Sequence, residues 1–235
     1  MTEREKILGR VREALEIAAP VPGHHHGGGA GHSASFHGRP VQVVQQWLPD
    51  GGANLVQQLE RFGSASAELK TDFHVVPSMT VAKVVLASLR DADGWKKVAA
   101  HHGDLTDAAA TALGLPTLFV DEGYLAPEME TCDVGISGCD ALVAQTGSII
   151  VTNRSAGGRA LSVLPPHHVV LARQSQFVRD LSEGYALVEK KYAPNYPSMI
   201  SVITGPSRTG DIERILVLGA HGPKKLTVIC LADRE

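Results

Sequence analysis

The chain has 235 residues and a formal net charge of −3 at pH 7. It contains no basic tract, which argues against nucleic acid as its main partner. No apolar run approaches the roughly 20 residues that a bilayer-spanning helix needs, and the charged start MTEREKILGRVREALE lacks the apolar core of a secretory signal. We therefore expect a cytoplasmic protein without membrane insertion, long enough for one large α/β domain or two small ones.

The cysteines are Cys132, Cys139 and Cys230, an odd number without a CxxC pair. This pattern excludes a zinc ribbon and a redox dithiol, and it supplies too few thiolates for a conventional iron–sulfur cubane. We expect three partly buried thiols in a reducing compartment and no cofactor bound by this chain. If the protein serves a redox pathway, the electron carriers lie on other proteins.

Residues 1–18 are predicted to form an amphipathic helix that ends before Pro20. Thr2 and Glu5 fit a capping box at its start. One helical face collects the apolar residues Ile7, Leu8, Val11, Leu15 and Ala18. Such a face packs on the main body or docks on a partner, and the sequence leaves both possibilities open.

Residues 19–40 are rich in Gly, His, Pro and Ser and predict a mobile linker, because this composition cannot bury a core. The segment HGGG at residues 26–29 copies an esterase oxyanion loop, but the chain has no GxSxG nucleophile elbow. The five histidines of the tract could bind zinc or nickel adventitiously: His24, His25, His26, His32 and His37. A flexible tract does not fix ligand geometry, so we predict no functional metal site.

From residue 41 to residue 235, strands and helices alternate, which predicts a Rossmann-like, largely parallel sheet with helices on both faces. Predicted strands cover 73–76, 97–100, 117–120, 147–151, 168–172, 199–204 and 226–231. Apolar residues at helical spacing predict helices after residue 55, after Ser78 or Thr80, after Asp104, and along Phe177, Leu181, Tyr185 and Val188. No GxGxxG follows a strand, so a dinucleotide fingerprint is absent.

The stretch SVITGPSRTGDIERILVLGAHGP, residues 201–223, combines a strand, a glycine break and a predicted helix that begins near Asp211. A strand that turns into a helix N-terminus leaves backbone N–H groups free for an anion. Ser207 or Thr209 would cap this helix, and Arg208 offers a planar fork for carboxylate or phosphate. The alternative is a well-capped turn in which the arginine pairs with a local acid such as Asp211.

Three polar loops are expected to meet at the carboxyl ends of the strands, where open α/β sheets bind ligands. They are residues 146–148, residues 157–159 and residues 205–209, and together they predict a receptor for a small carboxylate or phosphate. The predicted ligand-binding residues are Thr146, Gly147, Ser148, Arg159, Gly205, Ser207, Arg208, Thr209, Asp211 and His221. Ser207, His221 and Asp211 have the residue types of a catalytic triad. The sequence does not show that the histidine contacts and activates the serine, so catalytic residues stay unassigned.

Three stretches closely resemble signatures of the LUD domain family, of the lactate utilization protein C type. They are GISGCDALVAQTGSIIVTN at residues 135–153, GGRALSVLPPHHVVL at residues 157–171 and ITGPSRTGDIERILVLGAHGP at residues 203–223. Small departures are Ser148, where the family pattern has threonine, Gly210, where alanine is common, and Cys139. The resemblance covers roughly the last hundred residues, and the third block is the most specific.

The resemblance implies a Rossmann-like fold of the kind shared by sugar-phosphate isomerases and CoA transferases. It also implies an accessory subunit of L-lactate utilization, the oxidation of lactate to pyruvate, beside partner proteins that carry iron–sulfur clusters. CoA-transferase relatives use a catalytic glutamate, but no matching motif occurs here. The alternative is a stand-alone enzyme that binds a phosphorylated, carboxylate or CoA-linked small molecule, since such scaffolds host many chemistries.

Overall fold

The computed structural model describes residues 4–6, 8–9, 49–212, 215–219 and 221–233, with the backbone alone for 209–212 and 215–218. The chain divides into two units, Met1–Val43 and Val44–Glu235. In the first unit, residues 4–6 and 8–9 are helical. The rest of the predicted helix at 1–18, and the predicted linker at 19–40, lie outside the described residues. Among the described helices, none is long and apolar enough to cross a membrane.

The second unit contains twelve described strands and five described α-helices. The strands are β1 Asp72–Val76, β2 Val98–Ala100, β3 Thr117–Phe119, β4 Val134–Ser137, β5 Ala141–Val143, β6 Ser148–Thr152, β7 His167–Arg173, β8 Phe177–Val178, β9 Ile200–Ile203, β10 Arg208–Ile212, β11 Ile215–Leu218 and β12 Lys225–Leu231. The helices are α1 Leu55–Leu69, α2 Met79–Asp93, α3 Asp104–Leu113, α4 Ala126–Glu130 and α5 Leu181–Tyr192.

A six-stranded sheet in the order β1-β12-β7-β4-β2-β3 forms the centre of this unit, and every neighbouring pair in it is parallel. This confirms the predicted Rossmann-like, largely parallel α/β fold. The central strands are buried on both faces, so they read as continuous apolar runs such as VVLA in β7. All carboxyl ends of these strands lie at one edge of the sheet, and all amino ends lie at the other.

Alternate residues of the central strands enter two separate cores, as the period of two in a strand requires. On one face Val169 and Leu171 pack with residues of α2 and α3, among them Leu86 and Leu113. On the other face Val170 joins a core that contains residues of α1 and of a second sheet: Phe62, Leu142, Ile149 and Val151. The main sheet is therefore covered by helices on one face, and by α1 and the second sheet on the other.

The second sheet has the order β8-β5-β6-β9 and mixes parallel and antiparallel pairs. The predicted strands at 147–151 and 199–204 both belong to it rather than to the parallel sheet. Helix α5 packs against it through Val188 and Tyr192. The helix predicted from Phe177 begins only at Leu181, because Asp180 caps it by accepting a hydrogen bond from the Glu183 amide, and the preceding residues form β8.

The helix predicted from Asp211 is wrong. Strands β10, Arg208–Ile212, and β11, Ile215–Leu218, pair in antiparallel orientation, with Arg208 opposite Leu218 and Ile212 opposite Ile215. The β-branched residues Ile212, Ile215 and Val217 favour strand over helix, and a helix of so few residues has little intrinsic stability. Consequently Ser207 precedes a strand, and the helix N-terminus expected to bind an anion does not exist here.

Candidate functional site

The loop at residues 146–148 is part of the internal packing. The Thr146 Oγ1 lies 2.7 Å from the Ser148 Oγ, which lies 2.8 Å from the Thr204 Oγ1. Gly147 has φ +64°, and a Cβ at this position would come within 2.9 Å of the Ala65 Cβ of α1. The three hydroxyls satisfy one another, and the glycine permits close packing on α1 rather than the approach of a ligand.

The two arginines that were predicted to bind an anion, Arg159 and Arg208, each donate a hydrogen bond to a backbone carbonyl. Arg159 donates from Nη2 to the Ser198 carbonyl over 2.6 Å, which ties the 157–159 turn to the segment before β9. Arg208 donates from Nη2 to the Leu69 carbonyl at the end of α1. Neither guanidinium lines the cavities described below. The structure thus assigns both arginines to local anchoring and does not bring them together.

Gly205, Ser207 and His221 do come together, around a cavity of about 150 Å³ at the amino ends of β7 and β12. The Ser207 amide donates to the Pro223 carbonyl over 2.9 Å, and the Gly219 amide donates to the Ser207 carbonyl over 2.9 Å. This part of the predicted site lies at the opposite edge of the sheet from the one expected. Thr209 and Asp211 lie on β10, where the backbone alone is described.

The largest of these cavities, about 490 Å³, lies at the carboxyl ends of β2, β4 and β7, as expected for an open α/β sheet. We call it the carboxyl-edge crevice. Its lining combines the backbone of Gly103 and Gly138 with these polar side chains: His101, Asp104, Thr106, Ser155, Arg173, Gln176 and Lys191. None of these residues was predicted as a ligand-binding residue.

His101 fixes the geometry of the crevice at the ends of β2 and β4. Its Nδ1 lies 2.9 Å from the His102 carbonyl, and its Nε2 lies 3.1 Å from the Gly138 amide. Because the amide can only donate, Nε2 accepts, and the proton is assigned to Nδ1. Gly157 has φ +62°, and a Cβ there would lie 2.3 Å from the His101 Cβ, so only glycine lets this loop approach the ring.

Arg173 is the last residue of β7 and lies half-buried in the crevice wall. Within the described part of the chain its guanidinium makes no ion pair and no hydrogen bond. Gln176 holds the backbone around it, because its Oε1 accepts from the Arg173 amide over 2.7 Å and its Nε2 donates to the Cys139 carbonyl over 2.6 Å. The guanidinium is therefore available to a ligand on a backbone that is held in place.

Lys191 supplies a second cation, held by a buried acid. Asp140 is 4% exposed, and its Oδ1 accepts from the Lys191 Nζ and the Tyr192 hydroxyl, each over 2.6 Å. Burial acts to raise the pKa of Asp140, but hydrogen bonds from Lys191, Tyr192 and Ser155 outweigh it, and the pKa lies below its ordinary value. The pKa of Lys191 is raised in turn: burial opposes the shift, and the bond to Asp140 prevails.

The amino terminus of α3 also borders the crevice, but acidic side chains of the helix itself already interact with this terminus. Asp104 and Asp107 lie in the first turn, and the Asp107 Oδ2 accepts from the Gly103 amide over 3.3 Å. The predicted cap, Asp104, is the first helical residue, and Gly103 takes the cap position. Attraction for an anion in this crevice therefore comes from the Arg173 guanidinium, because Asp140 balances Lys191 and the helix terminus carries its own acids.

The three cysteines are buried and free. Burial raises the pKa of the Cys132 and Cys139 thiols above the ordinary value and that of Cys230 to about 12, so all three remain protonated at neutral pH. Among the described residues no three His, Cys, Asp or Glu side chains are arranged to hold a metal ion. The histidines at 24–37 lie outside that set.

Two of the crevice residues that were not predicted occupy positions that the sequence could have indicated. His101 and Arg173 each stand at the carboxyl end of a predicted strand, at 97–100 and 168–172, where the ligand rule for α/β sheets points. The Gly138–Asp140 segment stands inside the first of the family-like blocks. The ion pair between Asp140 and Lys191, in contrast, joins residues that are 51 positions apart, so no local sequence pattern predicts it.

Comparison with known proteins gives consistent relationships. Residues 39–231 match the LUD domain. The chain is 36% identical over 105 residues to lactate utilization protein C of Anoxybacillus flavithermus, covering 45% of this chain and 46% of that protein. It is 36% identical over 103 residues to lactate utilization protein C of Deinococcus radiodurans, covering 43% and 48% respectively. The matched segments thus span about half the length of these relatives.

The fold has a counterpart among solved structures. A DUF162 family protein from Deinococcus radiodurans superposes with a TM-score of 0.62 at 23% identity, over 77% of this chain and 99% of that one. This likeness supports the α/β architecture described above. The match to residues 39–231 covers most of the chain, and the chain belongs to the LUD domain family.

Proposed function

We propose that this protein acts in L-lactate utilization as an accessory subunit that binds a small carboxylate in the carboxyl-edge crevice. The observation that carries the proposal is the half-buried Arg173 guanidinium, which has no partner within the described residues and faces a cavity of about 490 Å³. A planar guanidinium is suited to a carboxylate, because it donates two parallel hydrogen bonds. Lactate and pyruvate are small carboxylates, and the relatives named lactate utilization protein C motivate the choice of substrate.

The rest of the crevice suits the same ligand class. The Lys191 charge is balanced by Asp140, so this ammonium contributes N–H donors, and the Ser155 hydroxyl and Gln176 amide add neutral hydrogen-bonding groups. With its Nδ1 proton committed to a carbonyl and its Nε2 to an amide, His101 acts as a positioning residue that holds two strand ends together. These groups support binding and orientation of a carboxylate, and no described group stands out as a catalytic base.

Electron transfer is assigned in this proposal to iron–sulfur partner proteins. The thiolate is the form of cysteine that ligates iron, and burial raises the pKa of all three thiols of this chain. A subunit that holds the carboxylate while partners accept the electrons fits these observations.

The test is a lactate oxidation assay with an artificial electron acceptor, on the purified chain alone and on the chain recovered with its partners from native extract. We expect turnover only when iron-containing partners co-purify, and an Arg173→Met variant should lower turnover of the complex. The matched control is Arg179→Met, which removes an exposed guanidinium paired with Asp180. Lactate turnover by the chain alone would instead support the stand-alone enzyme and overturn the accessory role.

A further inference from the structure

The cavity at the amino edge of the sheet is distinct from the carboxyl-edge crevice and shares no lining residue with it. We call it the His168 cavity. Its volume is about 150 Å³, and its apolar walls include Ile203, Pro206 and Leu226. Its polar residues are Ser162, His168, Ser201, Ser207 and His221. It is therefore a small, mostly apolar chamber with a few polar groups, which is the usual composition of a ligand site.

His168 is the unusual feature of this cavity. The side chain is 1% exposed, and its Nε2 lies 2.8 Å from the Ser137 Oγ. The Ser137 hydroxyl donates its only proton to the Gly138 carbonyl over 3.0 Å, so toward the imidazole it acts as acceptor. The hydrogen-bond network therefore assigns the proton to Nε2 and leaves Nδ1 as an acceptor.

This acceptor has no partner among the described residues. The His168 Nδ1 is buried and unpaired, whereas buried polar atoms in folded proteins nearly always have a partner. The ring is also neutral, because burial lowers the pKa of His168 to about 3. A neutral ring with an unpaired lone pair accepts a hydrogen bond from a ligand and offers no attraction to a carboxylate.

We propose that the His168 cavity binds an uncharged small molecule of the alcohol or diol class, whose hydroxyl donates to the His168 Nδ1. The apolar body of the ligand packs against Ile203 and Leu226, and a second hydroxyl reaches Ser162 or Ser207. A cavity near 150 Å³ accommodates a molecule of about six non-hydrogen atoms, since an engineered cavity of that size binds benzene. Ser207 thereby belongs to a neutral site rather than to the anion site predicted from the sequence, and this inference is independent of the proposed function.

The experiment follows the His168 ring by two-bond ¹H–¹⁵N NMR while 1,2-propanediol is added to the full chain. We expect a saturable shift of the Nδ1 resonance. L-Lactate, which has the same carbon skeleton but carries a charge, should bind at least about tenfold more weakly, because a carboxylate is costly to bury against the apolar walls of the cavity. No saturable shift, as with a cavity that holds only water, or an equal affinity for lactate would overturn the proposal.

Two variants localise the binding. Ser207→Leu fills the cavity without changing His168 and should abolish the diol-induced shift. Ser182→Leu, at an exposed position in the first turn of α5, is the matched control and should leave the shift unchanged. An unchanged shift in Ser207→Leu would also overturn the proposal, and the titration of the unmodified chain decides the question if this variant fails to fold.

Discussion

Replacing Lys191 by methionine tests the role of the buried Asp140 carboxylate. The change removes the Nζ that lies 2.6 Å from the Asp140 Oδ1 and leaves the Tyr192 hydroxyl as the remaining partner at that oxygen. Breaking a fully buried ion pair costs about 3–5 kcal/mol. Because the Lys191 side chain is 50% exposed and water screens the pair, we expect a loss of about 2 kcal/mol in the free energy of unfolding at neutral pH.

The loss should depend on pH in a defined direction. In the unmodified protein the folded pKa of Asp140 lies below its ordinary value, so its stabilising contribution is present above that value and disappears as the pH falls through the folded pKa. In Lys191→Met, burial outweighs the remaining hydrogen bonds and raises the pKa of Asp140. The folded variant then prefers the protonated acid, and its penalty grows as the pH rises above the ordinary value. The stability difference should therefore be larger at neutral pH than near pH 4.

Urea unfolding of both proteins at the two pH values measures this difference. Lys190→Met is the matched control, since Lys190 is the exposed neighbour on α5 and should change stability by no more than about 0.5 kcal/mol. A stability difference independent of pH, or an equal loss in Lys190→Met, would refute the reasoning that Lys191 neutralises a buried carboxylate.

Three further outcomes are expected. Gly157→Ala should lower the free energy of unfolding by about 3 kcal/mol, as its Cβ meets His101, whereas Gly158→Ala, with φ +110° and open space around it, should cost about 1 kcal/mol by thermal or urea unfolding. Hydrogen bonds to Asp107 and Glu122 raise the pKa of His102. The protein should therefore be more stable than His102→Gln at pH values below the ordinary histidine pKa. This difference in stability should disappear as the pH rises past the raised pKa. Arg208→Ala should lower the free energy of unfolding by about 1 kcal/mol, because the hydrogen bond to the Leu69 carbonyl is lost. Its affinity for a carboxylate, measured by calorimetry, should be unchanged. Weaker carboxylate binding by this variant would instead indicate that Arg208 belongs to the anion site.

Local patterns were sufficient to predict most elements of the main sheet. Strand β7 and strand β12 read as short apolar runs, and the helical spacing from Leu55 to Phe62 predicted α1. The assignment of β6 and β9 to a separate sheet was not predictable, because strand pairing joins distant residues such as Ile150 and Val202. Periodicity reports which face a strand buries but not which strand lies beside it.

The candidate site was predicted only in part, for two physical reasons. The first is that the glycine break before Asp211 predicts a helix, whereas the β-branched residues that follow favour the observed strands β10 and β11. The second is that an arginine in a polar loop serves a ligand or a backbone carbonyl equally well, and Arg159 and Arg208 do the latter. The rule that ligands bind at the carboxyl ends of parallel strands points to the edge of the sheet at which the carboxyl-edge crevice and Arg173 lie.

Calorimetric titration of L-lactate into the unmodified chain, Arg173→Met and Arg208→Met tests the carboxylate site most directly. A charge-assisted hydrogen bond contributes about 1.5–3 kcal/mol, so we predict that Arg173→Met weakens binding by about tenfold to a hundredfold while Arg208→Met leaves it unchanged. Unchanged affinity in Arg173→Met, or loss of binding confined to Arg208→Met, would contradict the placement of the carboxylate in the carboxyl-edge crevice.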